Sequence, residues 1–233
     1  MKTTIYTSGE YAAKNPTYHV EDSAWKAQQI LKIIRRNNLQ PLSICEVGCG
    51  AGEILRQLQS NLPEQIHFTG YEVSQQAYEL CQERANSKLS FYCADLLSAN
   101  SNQFDLILCI DVFEHIENYI NFIRSLRNKG KQVIFHIPLD LSVQMVLRSQ
   151  RLLFLRNQVG HLHYFTKDTA LATLQDAGYD IVDWFYTPGI LELPQNRGIA
   201  TKLMHWPRRL LFWWRPDLAV RLLGGYSLLV LAD

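Results

Sequence analysis

Three glycines at alternate positions, Gly48, Gly50 and Gly52, constrain this chain more tightly than any other feature. An apolar run over residues 42–47 leads into them, and a helical pattern of Ile54, Leu55 and Leu58 follows at once. The stretch reads as strand, tight turn, helix. One glycine permits the reversal, another lets backbone approach a ligand with no Cβ in the way, and the third lets the helix pack close to the strand. The helix N-terminus then presents unpaired N–H groups to something polar or anionic. Spacing narrows the partner. Dinucleotide turns use G-x-G-x-x-G and P-loops end in G-K-[ST], whereas here an acid, Glu46, stands two residues before the first glycine and no Lys follows the third.

The remainder of the chain alternates between two periods. Strands are expected over residues 65–72, 88–94, 103–110, 131–138, 179–187 and 226–232, and the run 103–110 is apolar enough for a central strand buried on both faces. A helix from Asp22 or Ser23 carries Ala27, Ile30, Leu31 and Ile34 on one stripe. Ser74 is placed to cap a second helix, Thr166 a third, and Gly130 to stop the helix that follows Ile116. Five strand–helix alternations argue for a parallel α/β sheet with right-handed crossovers, whose ligands sit beyond the carboxyl ends of the strands. Glu46, Glu72, Asp95 and Asp111 all fall at such ends, which points to a bound nucleoside. Glu72 holds the position from which a carboxylate accepts ribose hydroxyls in doubly wound folds.

The pattern Glu46-x-Gly48-x-Gly50-x-Gly52 resembles motif I of the class I S-adenosylmethionine (SAM) methyltransferases. The loop Asp111-Val112-Phe113-Glu114-His115-Ile116 and the later run His161-x-x-x-Phe165-Thr166 resemble the subgroup that methylates small molecules, including the ubiquinone-biosynthesis O-methyltransferases. The resemblance implies a Rossmann-like, doubly wound sheet of seven strands, with helices on both faces and the last strand antiparallel between the fifth and sixth. It implies SAM as cofactor and S-adenosylhomocysteine (SAH) as product. The cofactor contacts would be Glu46, Gly48, Cys49, Gly50, Gly52, Glu72, Val73, Asp95, Leu96, Ile110, Asp111 and Val112, with Asp95 and Leu96 at the adenine. A SAM-binding module without catalysis is a second reading, and a NAD-dependent oxidoreductase a third that lacks its G-x-G-x-x-G.

A chain of 233 residues, 47% hydrophobic, can bury one sizeable core. We expect a single domain over 1–233, with an N-terminal arm and helix over 1–40 and lid insertions over 139–165 and 188–225. The arm is read either as a loose terminus or as a flap over the site. A net charge of +1 provides no field for steering nucleic acid, and none is expected as a partner. Five cysteines without a C-x-x-C pair read as reduced residues of a cytoplasmic protein. Residues 1–15 carry no signal-peptide h-region, and no uncharged apolar run approaches the ~18 residues of a membrane span.

Candidates for acid–base work are His161, then His115, then His163, while His136 sits within a strand and reads as a core or supporting residue. Without C-x-x-C or H-x-x-x-H, the sequence points away from metal ligands. Residues 202–221 interleave five basic residues with Trp and Phe against one acid, Asp217. They read as a lid with aromatics packed inward and arginines outward, as a surface for peripheral membrane contact, or as an arginine-lined pocket for an acidic molecule. The acceptor is expected to be a small or lipid-linked molecule methylated at oxygen.

Overall fold

Seven strands form one sheet in the order β3-β2-β1-β4-β5-β7-β6 in the computed structural model, which describes residues 13–18, 20–99, 103–193 and 203–233. They are β1 (Ser43–Val47), β2 (His67–Glu72), β3 (Leu89–Cys93), β4 (Phe104–Ile110), β5 (Gly130–Pro138), β6 (Ile181–Thr187) and β7 (Ser227–Ala232). β1 to β5 pair in parallel, whereas β7 runs antiparallel to both β5 and β6. The chain reverses its order between β1 and β4. Strands on either side of that switch point lead their loops away from each other and open a crevice.

Helices α1 (Val20–Arg36), α2 (Glu53–Gln59), α3 (Gln75–Gln82), α4 (Tyr119–Leu126) and α7 (Lys167–Asp176) cover the sheet. The Ile30, Leu31 and Ile34 stripe of α1 is buried against β1 and α2 residues on one face, and Phe113, Phe135 and Leu174 fill the core on the other. The expected caps are present: Ala77 N–H donates to Ser74 Oγ, and Thr166 forms a reciprocal capping box with Thr169. Gly130 is a correction. It opens β5 opposite Phe104, and a Cβ there would lie 2.7 Å from Ile107, so close strand packing rather than helix termination explains it.

The late insertions form α5 (Val143–Leu147) with α6 (Ser149–Gln158), and α8 (Gly189–Glu192) with α9 (His205–Trp214) and α10 (Pro216–Leu223). The expectation that aromatics face inward and arginines outward holds only in part: Arg209, Arg215 and Arg221 are exposed and Phe212 stacks inward on Tyr226, but the tryptophans and Arg208 depart from it. Trp206, Trp213 and Trp214 are 73%, 80% and 67% exposed, while Arg208 is buried, donating to Gly224 O at 2.9 Å and to Gln144 Oε1 at 2.7 Å. Arg208 satisfies backbone and α5 at once, and that takes precedence over solvation. Lys202 lies outside the described residues.

At the start of α2, Glu53 ties two helices together: it accepts from Arg56, from Gln57, and from Arg84 beyond α3 at 2.8 Å. The Arg56 hydrogen bonds, aided by Arg84, hold its carboxyl down to about 2. A depressed carboxyl stabilises the fold above its unfolded pKa of 4.5 and loses that contribution as pH falls toward 2. Glu53→Gln should therefore lower the melting temperature at pH 7, with the two proteins converging near pH 2 in calorimetric scans. An unchanged gap across that window would remove Glu53 from the fold's ionic support.

Candidate functional site

A cavity of about 920 Å³ lies over the carboxyl ends of β1, β2, β4 and β5. Its floor is the glycine turn. The N–H groups of Gly48 and Cys49 both donate to Tyr71 O, at 2.8 and 3.1 Å, which folds the loop back across β2. Gly52 caps α2 at φ +75°, and a Cβ there would lie 2.5 Å from Phe91 Cζ. Gly50, at φ +54°, meets only Tyr18 at 3.8 Å, so its open side is where a ligand can approach the backbone. Every expected cofactor residue except Gly52 lines the cavity, and Gly52 serves packing instead.

The four strand-end acids have distinct surroundings. Glu46 is 2% exposed, and its Oε2 has no hydrogen-bond partner among the described residues. Burial pushes its carboxyl well above the ordinary range, with Lys26 pulling the other way. Glu72 accepts from Gly50 N–H at 2.9 Å and from Ser74 N–H at 2.8 Å, one bond on each oxygen. It clamps the glycine loop to the start of α3 and keeps further lone pairs for a ligand. Asp95 is exposed in a turn, accepting from Leu97 N–H at 2.9 Å, beside the fully buried Leu96. Asp111 adopts φ +54° and accepts from His136 Nδ1 at 2.6 Å and Lys26 Nζ at 2.8 Å. Burial alone would raise its carboxyl, but His136 and Lys26 hold it below its usual value. His136 also bonds Thr187 Oγ1 through Nε2 at 2.8 Å, the supporting role expected of it.

The three candidate histidines separate clearly. His161 is buried at the cavity wall, with Nδ1 2.6 Å from Asp140 Oδ2. That carboxylate fixes the proton on Nδ1 and leaves Nε2 for chemistry. His115 also lines the cavity, edge-on to His161 with ring centroids 4.9 Å apart, and burial pushes it down to about 3. His163 is not among the lining residues: its Nε2 donates to Ile116 O at 2.9 Å and its ring packs on Tyr119. The arm contributes too, for Tyr18 lies over the glycine turn with its hydroxyl 3.0 Å from Ser74 Oγ, and Lys14 donates to Asn157 O beyond it. Residues 1–12 and 19 lie outside the described residues.

Sequence reasoning missed Lys26, Asp140 and Glu114. Asp140 follows the fifth strand, so the same rule that selected the other acids would have found it. Lys26 is a polar position on an amphipathic helix, and nothing local marks it as inward-facing.

The cavity fits the adenosyl cofactor that the motifs imply. The orphan oxygen of Glu46 wants a cationic donor beside an open glycine backbone, and the methionyl end of SAM carries an ammonium and a sulfonium. Comparison with known proteins agrees. The ubiquinone biosynthesis O-methyltransferase of Rickettsia bellii is 26% identical over 113 residues, covering 42% of this chain and 43% of that protein. The malonyl-[acyl-carrier protein] O-methyltransferase of Bacillus cereus is 27% identical over 104 residues, covering 43% and 38%. The matches thus span less than half the length of these curated relatives. The SAH-bound magnesium protoporphyrin IX methyltransferase of Synechocystis shares the fold, with a TM-score of 0.59 at 17% identity over 90% of this chain and 82% of that one. The profile of a family described as a methyltransferase domain matches residues 22–183, and the chain belongs to that family.

Proposed function

We propose that this methyltransferase uses SAM, releases SAH, and methylates an oxygen of a small or lipid-linked acceptor. The observation that carries the reading is the meeting, in one cavity, of Glu46's unpartnered oxygen and the glycine turn with the Asp140–His161 pair. When bound, SAM supplies an electrophilic methyl on a cationic sulfur. Glu46 and the turn hold the cationic end, Glu72 the ribose, and Asp95 with Val73 and Leu96 the adenine. Alignment of the reactants is the main catalytic resource, an effect that supplies ~7–11 kcal/mol in favourable cases. His161 acts on the acceptor oxygen through Nε2, and assistance of this kind contributes about 10²–10⁴-fold. Both curated relatives above are named as O-methyltransferases, one of them for an acyl carrier.

The lipid-linked part of the reading rests on the outer face of α9. Trp206, Leu210, Trp213 and Trp214 are exposed there, with the Arg209 and Arg215 guanidinium groups 5.9 and 5.2 Å above the rings of Trp206 and Trp214. Leu147 and Phe154 of the other insertion are exposed as well. Large aromatics beside arginines suit the boundary between acyl chains and anionic headgroups. No helix among the described residues is long and apolar enough to cross a membrane, so the contact would be peripheral.

Because burial raises the Glu46 carboxyl, a cationic ligand must capture its ionised form. SAM affinity should therefore rise with pH through and above the ordinary carboxylate range, and Glu46→Gln should flatten that dependence in calorimetric titrations. Identical pH profiles would exclude Glu46 from the site. His161→Asn should keep SAH affinity while slowing methyl transfer by about 100-fold or more; equal turnover would place activation elsewhere. If methyl-labelled SAM transfers nothing to a membrane or soluble extract while SAH still binds, the chain is a SAM-binding module. Vesicles containing anionic phospholipid should co-sediment with the protein, and alanine at Trp206, Trp213 and Trp214 together should weaken that binding by about tenfold. No sedimentation with either anionic or neutral vesicles would restrict the acceptor to soluble molecules.

A further inference from the structure

Behind the cavity wall lies a carboxylate for which the reading so far has no use. Glu114 is 1% exposed, and neither of its carboxylate oxygens has a hydrogen-bond partner among the described residues. Burying an ionised carboxylate without a partner is among the costliest arrangements a fold can contain. Its immediate neighbours are imidazoles. Oε1 lies 3.8 Å from His115 Nε2, and a ligand atom from each of Glu114, His115 and His161 lies within 4.8 Å of the other two.

We infer that Glu114, His115 and His161 form a binding site for one divalent transition-metal cation at the acceptor end of the cavity. Two imidazoles and one carboxylate are a donor set that catalytic metal sites use with a position left open. His115 and His161 line the cavity, and Glu114 closes the site from behind. The Asp140 bond to His161 Nδ1 is the outer support such ligands receive, because it fixes the tautomer and leaves Nε2 as the donor. With two nitrogen donors of three, the site favours zinc, iron or nickel over magnesium, calcium and manganese, which suit oxygen ligands. Metal–donor bonds of about 2.0–2.2 Å require the three donor atoms to draw together by about an ångström, a side-chain adjustment.

This deepens the reading that an acceptor oxygen is methylated here. The oxygen fills the open position, its proton passes to water at the cavity mouth, and the oxygen–methyl bond forms as the sulfur–methyl bond breaks. His161 then acts on the acceptor by holding the cation. The spacing Glu114, His115 and His161 resembles no local metal motif, and only the fold brings its two parts together.

The test uses the full chain, stripped with a chelator and dialysed, then titrated calorimetrically with zinc, manganese or magnesium chloride, with and without SAH. One zinc ion per chain should bind, with manganese and magnesium failing to compete at equal concentration. Glu114→Gln and His161→Asn should each weaken binding by about tenfold or more, whereas Cys93→Ser, which removes an exposed thiol, should leave it unchanged. Glu114→Gln preserves shape, and a melting curve like that of the parent protein shows that the fold persists. Absence of stoichiometric binding, or binding indifferent to Glu114→Gln, would overturn the site. So would an infrared band of a protonated carboxylic acid that Glu114→Gln abolishes in the metal-treated protein, since Glu114 would then be a neutral acid. Parallel SAH titrations separate the two readings: SAH binding without metal binding sinks this site and leaves the methyltransferase reading standing.

Discussion

A parallel sheet concentrates whatever stands at the carboxyl ends of its strands, and here it concentrates carboxylates. Left alone they would repel one another, and the buried ones would be driven to protonate. Lys26 answers this from α1, with its ammonium 2.8 Å from Asp111 and close enough to lower the Glu46 carboxyl and to feel Asp22 and Glu114. The ion pair is further held by His136, which passes the connection through β5 to Thr187 at the end of β6. Four elements thus converge on one half-buried charge pair. Removing one member would leave the other charge without its nearest partner at the cavity floor. The shape of the cavity floor depends on this neutralisation as much as on the hydrophobic core beneath it.

The glycine turn shows the same economy. Glu72 is shared between the loop and the neighbouring helix, so the group that would hold a ligand also shapes the loop that receives it. Cys81 Sγ donates to Gly50 O at 3.0 Å from the other side, and Cys49 Sγ lies 3.9 Å from Cys81 Sγ. A turn stitched this way is largely formed before any ligand arrives, and preorganisation reduces the ordering cost of binding.

What could be read from the sequence followed from local pattern. The turn, the order of strands and helices, the caps at Ser74 and Thr166 and the acids at strand ends are all carried by residues close in the chain. The strand bounds shifted by only a residue or two. The missed residues are those whose meaning depends on distant partners. Lys26 of α1 meets Asp111 at the end of β4, Asp140 meets His161 across the insertion that holds α5 and α6, and Glu114 meets His161 only because two loops converge. Gly130 was misread because a glycine between a helix and a strand serves either element, and packing on Ile107 decided it. Within the Trp and Arg run the tryptophans and Arg208 were misread, because composition ranks residues by hydrophobicity, whereas Arg208 found backbone and amide acceptors inside the fold.

That buried guanidinium couples parts of the chain far apart in sequence. By gripping Gln144 on one side and the carbonyl of Gly224 on the other, Arg208 makes the helix bearing the exposed tryptophans and the helix after β5 mechanically one piece. The piece joins β7 through Gly224 and Gly225, both in left-handed backbone geometry, and Gly225 and Tyr226 line the cavity. One guanidinium and two glycines are thus all that stand between the outer aromatic face and the cavity rim.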